Sequence, residues 1–224
     1  MQGIEAIIFD MDGTLIDSLR DIAESMNHVL SDNGMRAHTL AEYRSYIGNG
    51  VSMLVSRACG YGPGEGCFDK IKREYSEYYT AHSSVYTVPF DGVTEELRRL
   101  RKRYKLAVLS NKGDRDIKAL VDRYFADTGF TAVHGQFGDF KVKPDPALAL
   151  YTAEELGVEP RKILFVGDSP EDIMTGRNAG MRTAGVLWGY RDRQDLLDAG
   201  CTDFCSVPAD ISAVAERMCY NAGQ

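Results

Sequence analysis

Two hydrophobic rhythms share this chain. At its start and again from about residue 85 onward, short unbroken apolar runs alternate with segments in which apolar positions recur every three or four residues. The unbroken runs predict strands covered on both faces: Glu5–Phe9, Lys105–Leu109, Phe130–His134, Lys162–Val166, Thr183–Trp188 and Asp203–Ser206. The other spacing predicts helices over Val93–Lys102, Asp114–Tyr124, Pro146–Leu156, Pro170–Ala179, Asp192–Ala199 and about Ala209–Cys219. Gly157, Gly180 and Gly200 fall where a chain leaves a helix. Strands alternating with helices of this length predict an α/β fold built on a doubly wound parallel sheet.

One stretch breaks the alternation. From about Asp17 to Ser84 no strand pattern is found, only helical spacing over Ser18–Asp32, Leu40–Ile47, Val51–Ala58 and Phe68–His82. Thr39 precedes Glu42 by three positions, a capping box that fixes the start of the second of these. Gly60-Tyr61-Gly62-Pro63-Gly64-Glu65-Gly66 reads as a loop. The expected organisation is a small helical domain, 17–84, inserted into a sheet domain made of 1–16 and 85–224.

Polar residues collect where the predicted strands end, which is where open parallel sheets bind ligands. The first strand runs into Asp10-Met11-Asp12-Gly13-Thr14-Leu15, and carboxylates at i and i+2 of an extended segment point the same way. The second ends in Ser110-Asn111-Lys112, the third is followed by Lys143-Pro144, and the fourth ends in Gly167-Asp168-Ser169-Pro170-Glu171-Asp172. Each has an ordinary explanation alone: an Asp-Gly turn, a helix cap at Ser110, a surface cation at Lys143, an N-cap at Asp168. Four such coincidences at four consecutive strand ends point instead to one site.

The inventory suits phosphoryl transfer. Magnesium takes hard oxygen ligands, which Asp10 and Asp168 offer with the backbone carbonyl of Asp12. A transferring phosphoryl group needs donors on its equatorial oxygens, which Ser110, Lys143 and the N–H groups around Met11, Asp12 and Asn111 offer. Asp172, four residues beyond Asp168, is placed to orient metal waters or to hold Lys143.

Composition narrows the partners. The chain has 224 residues, 44% hydrophobic and 26% charged, with no apolar run of membrane-spanning length. A formal charge of −7 argues against nucleic acid, because phosphate neutralisation carries most of that affinity. The basic run Arg98–Lys105 reads as the solvated last turn of a helix. Cys59, Cys67, Cys201, Cys205 and Cys219 have neither disulfide-framework nor zinc-site spacing, and Met1–Glu5 shows no secretory pattern, so a cytoplasmic protein with reduced thiols is expected. The four histidines are dispersed, and no histidine catalysis is expected; Trp188, Tyr75, Tyr78 and Tyr79 read as packing residues.

In the order and spacing of Asp10-Met11-Asp12-Gly13-Thr14-Leu15, Ser110-Asn111-Lys112, Lys143-Pro144 and Gly167–Asp172, the whole chain resembles the haloacid dehalogenase superfamily, specifically its phosphoglycolate phosphatase-like branch. The resemblance implies a Rossmann-like core with a helical cap that closes over it and selects the substrate. It implies a Mg2+-dependent phosphatase in which Asp10 is the nucleophile and Asp12 the proton donor and acceptor. Ser110 and Lys143 then bind the phosphoryl group, and Asp168 binds the metal with Asp172 beside it. Within the cap, Arg44-Ser45-Tyr46-Ile47-Gly48-Asn49-Gly50 resembles a branch segment in which Arg44 and the backbone around Gly48 and Asn49 meet a small carboxylate; a plain helix end at Gly48 with a solvated Arg44 fits the same residues. The expected partner is a small phosphorylated metabolite, first of all 2-phosphoglycolate, and a homodimer is one assembly open to the chain. A β-phosphoglucomutase-like isomerase or an inorganic pyrophosphatase uses the same core. A dehalogenase fits poorly, because that branch has no use for Asp12 or a metal, and a non-catalytic binding protein would be expected to have lost part of the site.

Overall fold

The computed structural model describes residues 3–220, with the backbone alone for Cys219 and Tyr220. The chain divides into two compact units, one of residues up to Ile16 together with those from Pro89 on, the other Asp17–Val88.

The first unit is built on six parallel strands: β1 (Ala6–Phe9), β4 (Lys105–Gly113), β5 (Phe130–Gln136), β6 (Ile163–Gly167), β7 (Arg182–Val186) and β8 (Phe204–Cys205). They lie side by side as β5-β4-β1-β6-β7-β8, an order of 3-2-1-4-5-6 among the six, which is that of a doubly wound sheet. β1 is central, with Phe9 level with Val108 on one side and Val166 on the other. Successive side chains of β1 point to opposite faces, and both faces are apolar. Ile7 and Phe9 join Leu106, Val108, Leu164 and Val166 against α5 (Val93–Leu100), α6 (Asp114–Phe125) and α10 (Asp210–Tyr220). Ala6 and Ile8 join Ala107, Leu109, Ile163 and Phe165 against α7 (Ala147–Leu156). Burial on both faces is why these strands carry continuous apolar runs. Two helices, α8 (Pro170–Asn178) and α9 (Arg193–Asp198), follow β6 and β7.

Three strand ends differ from expectation by two residues or more, one being that of β5, which runs on from His134 to Gln136. β4 continues four residues past Leu109, through a register irregularity to a pairing of Gly113 with Gln136, so Ser110, Asn111 and Lys112 lie within the strand. β7 stops at Val186, leaving Trp188 beyond it, half-buried against the core, with its Nε1–H donated to the Thr14 carbonyl at 3.0 Å. Several members of the basic run have partners: Arg98 pairs with Asp127 at 2.7 Å, Arg103 pairs with Glu216, and Arg101 donates to the Asp127 carbonyl.

The second unit holds α1 (Leu19–Asp32), α2 (Leu40–Tyr46), α3 (Gly50–Cys59) and α4 (Phe68–His82). Ile22, Met26, Val29 and Leu30 of α1 and Phe68, Ile71, Tyr75 and Tyr79 of α4 are buried at helical spacing. α2 starts on the expected capping box, with Glu42 N–H donating to Thr39 Oγ1 and Thr39 N–H to Glu42 Oε2. Two short strands absent from the hydrophobic pattern, β2 (Ile16–Asp17) and β3 (Val88–Pro89), form a separate two-stranded sheet where the chain passes between the units. Among the described residues no helix is long and apolar enough to cross a membrane. Cys59, Cys67, Cys201 and Cys205 are free thiols, and the Cys219 side chain lies outside the described residues, as do Met1 and Gln2.

Asp21 ties α1 to the end of this unit. Its carboxylate is 2% exposed and accepts from the Thr87 N–H at 2.8 Å, the Thr87 hydroxyl at 2.6 Å and the Tyr86 N–H at 3.0 Å. Asp21→Ala leaves these donors buried without an acceptor and is expected to cost about 2–4 kcal/mol, read as a lowered midpoint in urea unfolding. An unchanged midpoint would show that water replaces the carboxylate.

Candidate active site

The loop after β1 is wound tightly enough to set two carboxylates at one end of the sheet. The Met11 carbonyl accepts from the N–H groups of Thr14, Leu15 and Ile16, and Gly13 takes φ +84°, a left-handed turn that a side chain would strain. A Cβ on Gly13 would also stand 2.4 Å from Asp168 Oδ2, so the absence of a side chain there is what admits the Asp168 carboxylate.

Asp10, Asp168 and Asp172 converge, each offering an oxygen within 4.8 Å of the others, and all three are buried. They follow β1 and β6, the adjacent strands at which the winding of the sheet reverses. Asp168 Oδ1 accepts from the Thr14 hydroxyl at 3.2 Å and Oδ2 from the Tyr190 N–H at 2.7 Å. Asp172 Oδ2 accepts from the Ser169 N–H and hydroxyl at 3.0 and 2.7 Å, a capping box that starts α8 on Ser169 rather than Asp168.

Lys143 is no surface cation. It is 3% exposed, with Nζ 2.5 Å from Asp172 Oδ1 and 2.8 Å from Asp10 Oδ1. The contact with Asp10 is an ion pair outside hydrogen-bonding geometry, so that buried oxygen has no hydrogen-bond donor. Asn111 places Lys143: its Oδ1 accepts the Lys143 N–H at 2.7 Å, and its Nδ2 donates to the Lys143 carbonyl at 3.4 Å. Ser110, 2% exposed, sits one position before Asn111 and accepts the Lys112 N–H at 3.3 Å. The Asp12 side chain stands apart from the carboxylate cluster and pairs with Lys112, whose Nζ is 3.2 Å from Asp12 Oδ2.

The electrostatics leave this group short of positive charge. Three buried carboxylates stand around one buried ammonium, so negative charge is in excess among these four groups. Burial, then the charge of Asp172, pushes the Asp168 carboxyl up to about 7, and the same causes raise Asp10 well above the usual carboxylate range despite Lys143. Burial opposes the Lys143 ammonium, but Asp10 and Asp172 outweigh it and hold the proton more firmly than usual. A hard divalent cation fits: all-oxygen donors, excess negative charge and an Asp10 Oδ1 outside any hydrogen bond.

The other candidates lie in the helical unit. Arg44 is exposed on α2, Gly48 takes φ +111°, and Asn49 stands at the start of α3. Arg57, which no local pattern singles out, holds this turn by donating to the Tyr46 carbonyl at 2.8 Å and to Asn49 Oδ1 at 3.0 Å. Lys112 and Asn111 were equally unmarked as partners of Asp12 and Lys143, because their partners are distant in sequence.

The fold is thus a doubly wound α/β sheet that carries acidic residues and a buried lysine at its carboxyl end. The sequence model described as haloacid dehalogenase-like hydrolase matches residues 7–186, and the chain belongs to that family. The phosphoglycolate phosphatase of Aquifex aeolicus is 37% identical over 214 residues, spanning 93% of this chain and 95% of that protein. That of Psychrobacter arcticus is 33% identical over 222 residues, spanning 96% and 95%. Among solved structures, a predicted phosphoglycolate phosphatase of Haemophilus somnus superposes with a TM-score of 0.86 at 30% identity, covering 94% of this chain and 97% of that one.

The raised Asp168 sets a pH dependence. Its folded-state value of about 7 exceeds the ordinary 3.8, so the cation-free protein loses stability as pH rises between these values, while the unfolded chain releases the proton first. A divalent cation held by the ionised carboxylates would offset that loss. Thermal unfolding with and without the cation is expected to show a larger stabilisation near about pH 8 than near about pH 5.5. Equal shifts at both would place the cation elsewhere.

Proposed function

We propose that this hydrolase is a magnesium-dependent phosphatase that cleaves 2-phosphoglycolate through an aspartyl-phosphate on Asp10. The convergence of Asp10, Asp168 and Asp172, with Lys143 paired to Asp10 and Asp172, carries the reading, and the names of its relatives support the substrate. Asp10 attacks phosphorus as Asp12 protonates the leaving oxygen of glycolate. Asp12 then takes a proton from the water that attacks the phosphoaspartate, so one residue serves both half-reactions. Lys143, the Ser110 hydroxyl and the N–H groups of Met11, Asp12 and Asn111 hold the phosphoryl oxygens, whose charge would otherwise repel an approaching carboxylate. Asp172 keeps Lys143 aimed at Asp10, and both are within ion-pair distance of its Nζ. Mg2+, held by Asp10, Asp168 and the Asp12 carbonyl with Asp172 alongside, supplies further charge neutralisation at the phosphate.

The helical unit is read as the cap. Arg44 and the backbone of Gly48 and Asn49 meet the substrate carboxylate, with Arg57 holding the turn that presents them.

Two measurements test this. Magnesium-dependent phosphate release is compared for 2-phosphoglycolate, pyrophosphate and β-glucose 1-phosphate. 2-Phosphoglycolate is expected to give the highest kcat/KM, and Asp10→Asn to lower it by on the order of 10³ or more. Activity surviving in that variant would sink the covalent mechanism, and glucose 6-phosphate as product would replace the phosphatase with a mutase. Arg44→Ala is expected to raise KM for 2-phosphoglycolate roughly 10-fold, as loss of a charge-assisted hydrogen bond would. An unchanged KM would return Arg44 to the role of a solvated helix residue.

A further inference from the structure

The sheet unit buries two ammonium groups beside the candidate site, and the chemistry above employs one. Lys143 is fixed between two carboxylates at 2.5 and 2.8 Å. Lys112 is also buried, its side chain 7% exposed, two positions beyond Ser110 on the same strand. Its N–H is anchored on Ser110 Oγ, and its Nζ stands at a looser 3.2 Å from Asp12 Oδ2, in a carboxylate whose side chain is 19% exposed. Burying an ammonium is costly, so the place of Lys112 beside Asp12 calls for a reason.

We propose that Lys112 binds the carboxylate of the leaving group, so that the sheet unit itself selects acidic phosphoesters. The proposal rests on the reading of Asp12 as the group that protonates the leaving oxygen. In 2-phosphoglycolate a single methylene separates that oxygen from the carboxylate carbon. An ammonium in ion-pair contact with Asp12 is therefore beside the space the carboxylate occupies. A lysine ammonium has three donors on a flexible stem, so it serves Asp12 Oδ2 and a substrate carboxylate together. A carboxylate accepts from several donors at once, so the role is compatible with a contribution from Arg44.

The test is a ratio: kcat/KM for 2-phosphoglycolate over kcat/KM for ethyl phosphate, which has the same leaving oxygen and no carboxylate. It is measured at saturating Mg2+ in the full-length protein and in Lys112→Met, Lys112→Gln and Lys112→Arg. The ratio is expected to fall about 10- to 100-fold in Lys112→Met, mainly through KM for 2-phosphoglycolate, and to recover in part in Lys112→Arg. Lys112→Gln keeps a donor to Asp12 without the charge, so the same fall there assigns the effect to charge and covers failure of Lys112→Met to fold. A ratio unchanged in these variants, whether both substrates suffer equally or neither does, overturns the proposal and leaves Lys112 as a support for Asp12. A ratio near one in the unmutated protein overturns the phosphoglycolate reading itself, and is told apart because no substitution is needed to see it.

Discussion

A buried lysine shared by two buried carboxylates is the constraint around which the sheet unit is arranged. Lys143 lies between Asp10 and Asp172, and neither charge state is tolerable there alone: removing the ammonium would leave adjacent carboxylates facing each other in a dry site. The neighbours follow from this need. Asn111 grips the main chain of Lys143 on both its N–H and its carbonyl, and Ser169 satisfies the second oxygen of Asp172. What is left over is negative charge.

The sheet supplies the rigidity. The apolar strands β1, β4 and β6 are held in register on both sides of β1, so the residues that follow them are delivered to one end of the sheet with little freedom. Around them the loops close tightly: Gly13 admits Asp168, Thr14 and Tyr190 hold its two oxygens, and Trp188 fastens the Thr14 carbonyl. Polar groups that would be costly to bury alone thus satisfy one another across segments more than a hundred residues apart in sequence.

The helical unit is organised differently. It has an apolar interior at helical spacing, joined by discrete polar links: Asp21 to the backbone near Thr87, and Arg57 to the turn through Gly48 and Asn49. Those links hold backbone and side chains of turns, which suits a unit whose proposed task is to present a recognition surface.

By itself the sequence determined the class of fold and the strand ends at which acidic residues gather. Continuous apolar runs are forced on strands covered on both faces, and helical periodicity is forced on helices with one buried side, so those elements were legible within a few residues of their observed ends. The acidic residues at strand ends were legible because polar residues directly after an apolar run have little structural reason to recur. Tertiary structure alone decided the partnerships. The two-residue strands β2 and β3 are too short to carry a periodicity, and the continuation of β4 through Ser110–Gly113 depends on its pairing with β5. Lys112 facing Asp12, Asn111 holding Lys143, and Arg57 bracing Asn49 are long-range contacts, and nothing local in a sequence records which distant residue will satisfy a buried charge.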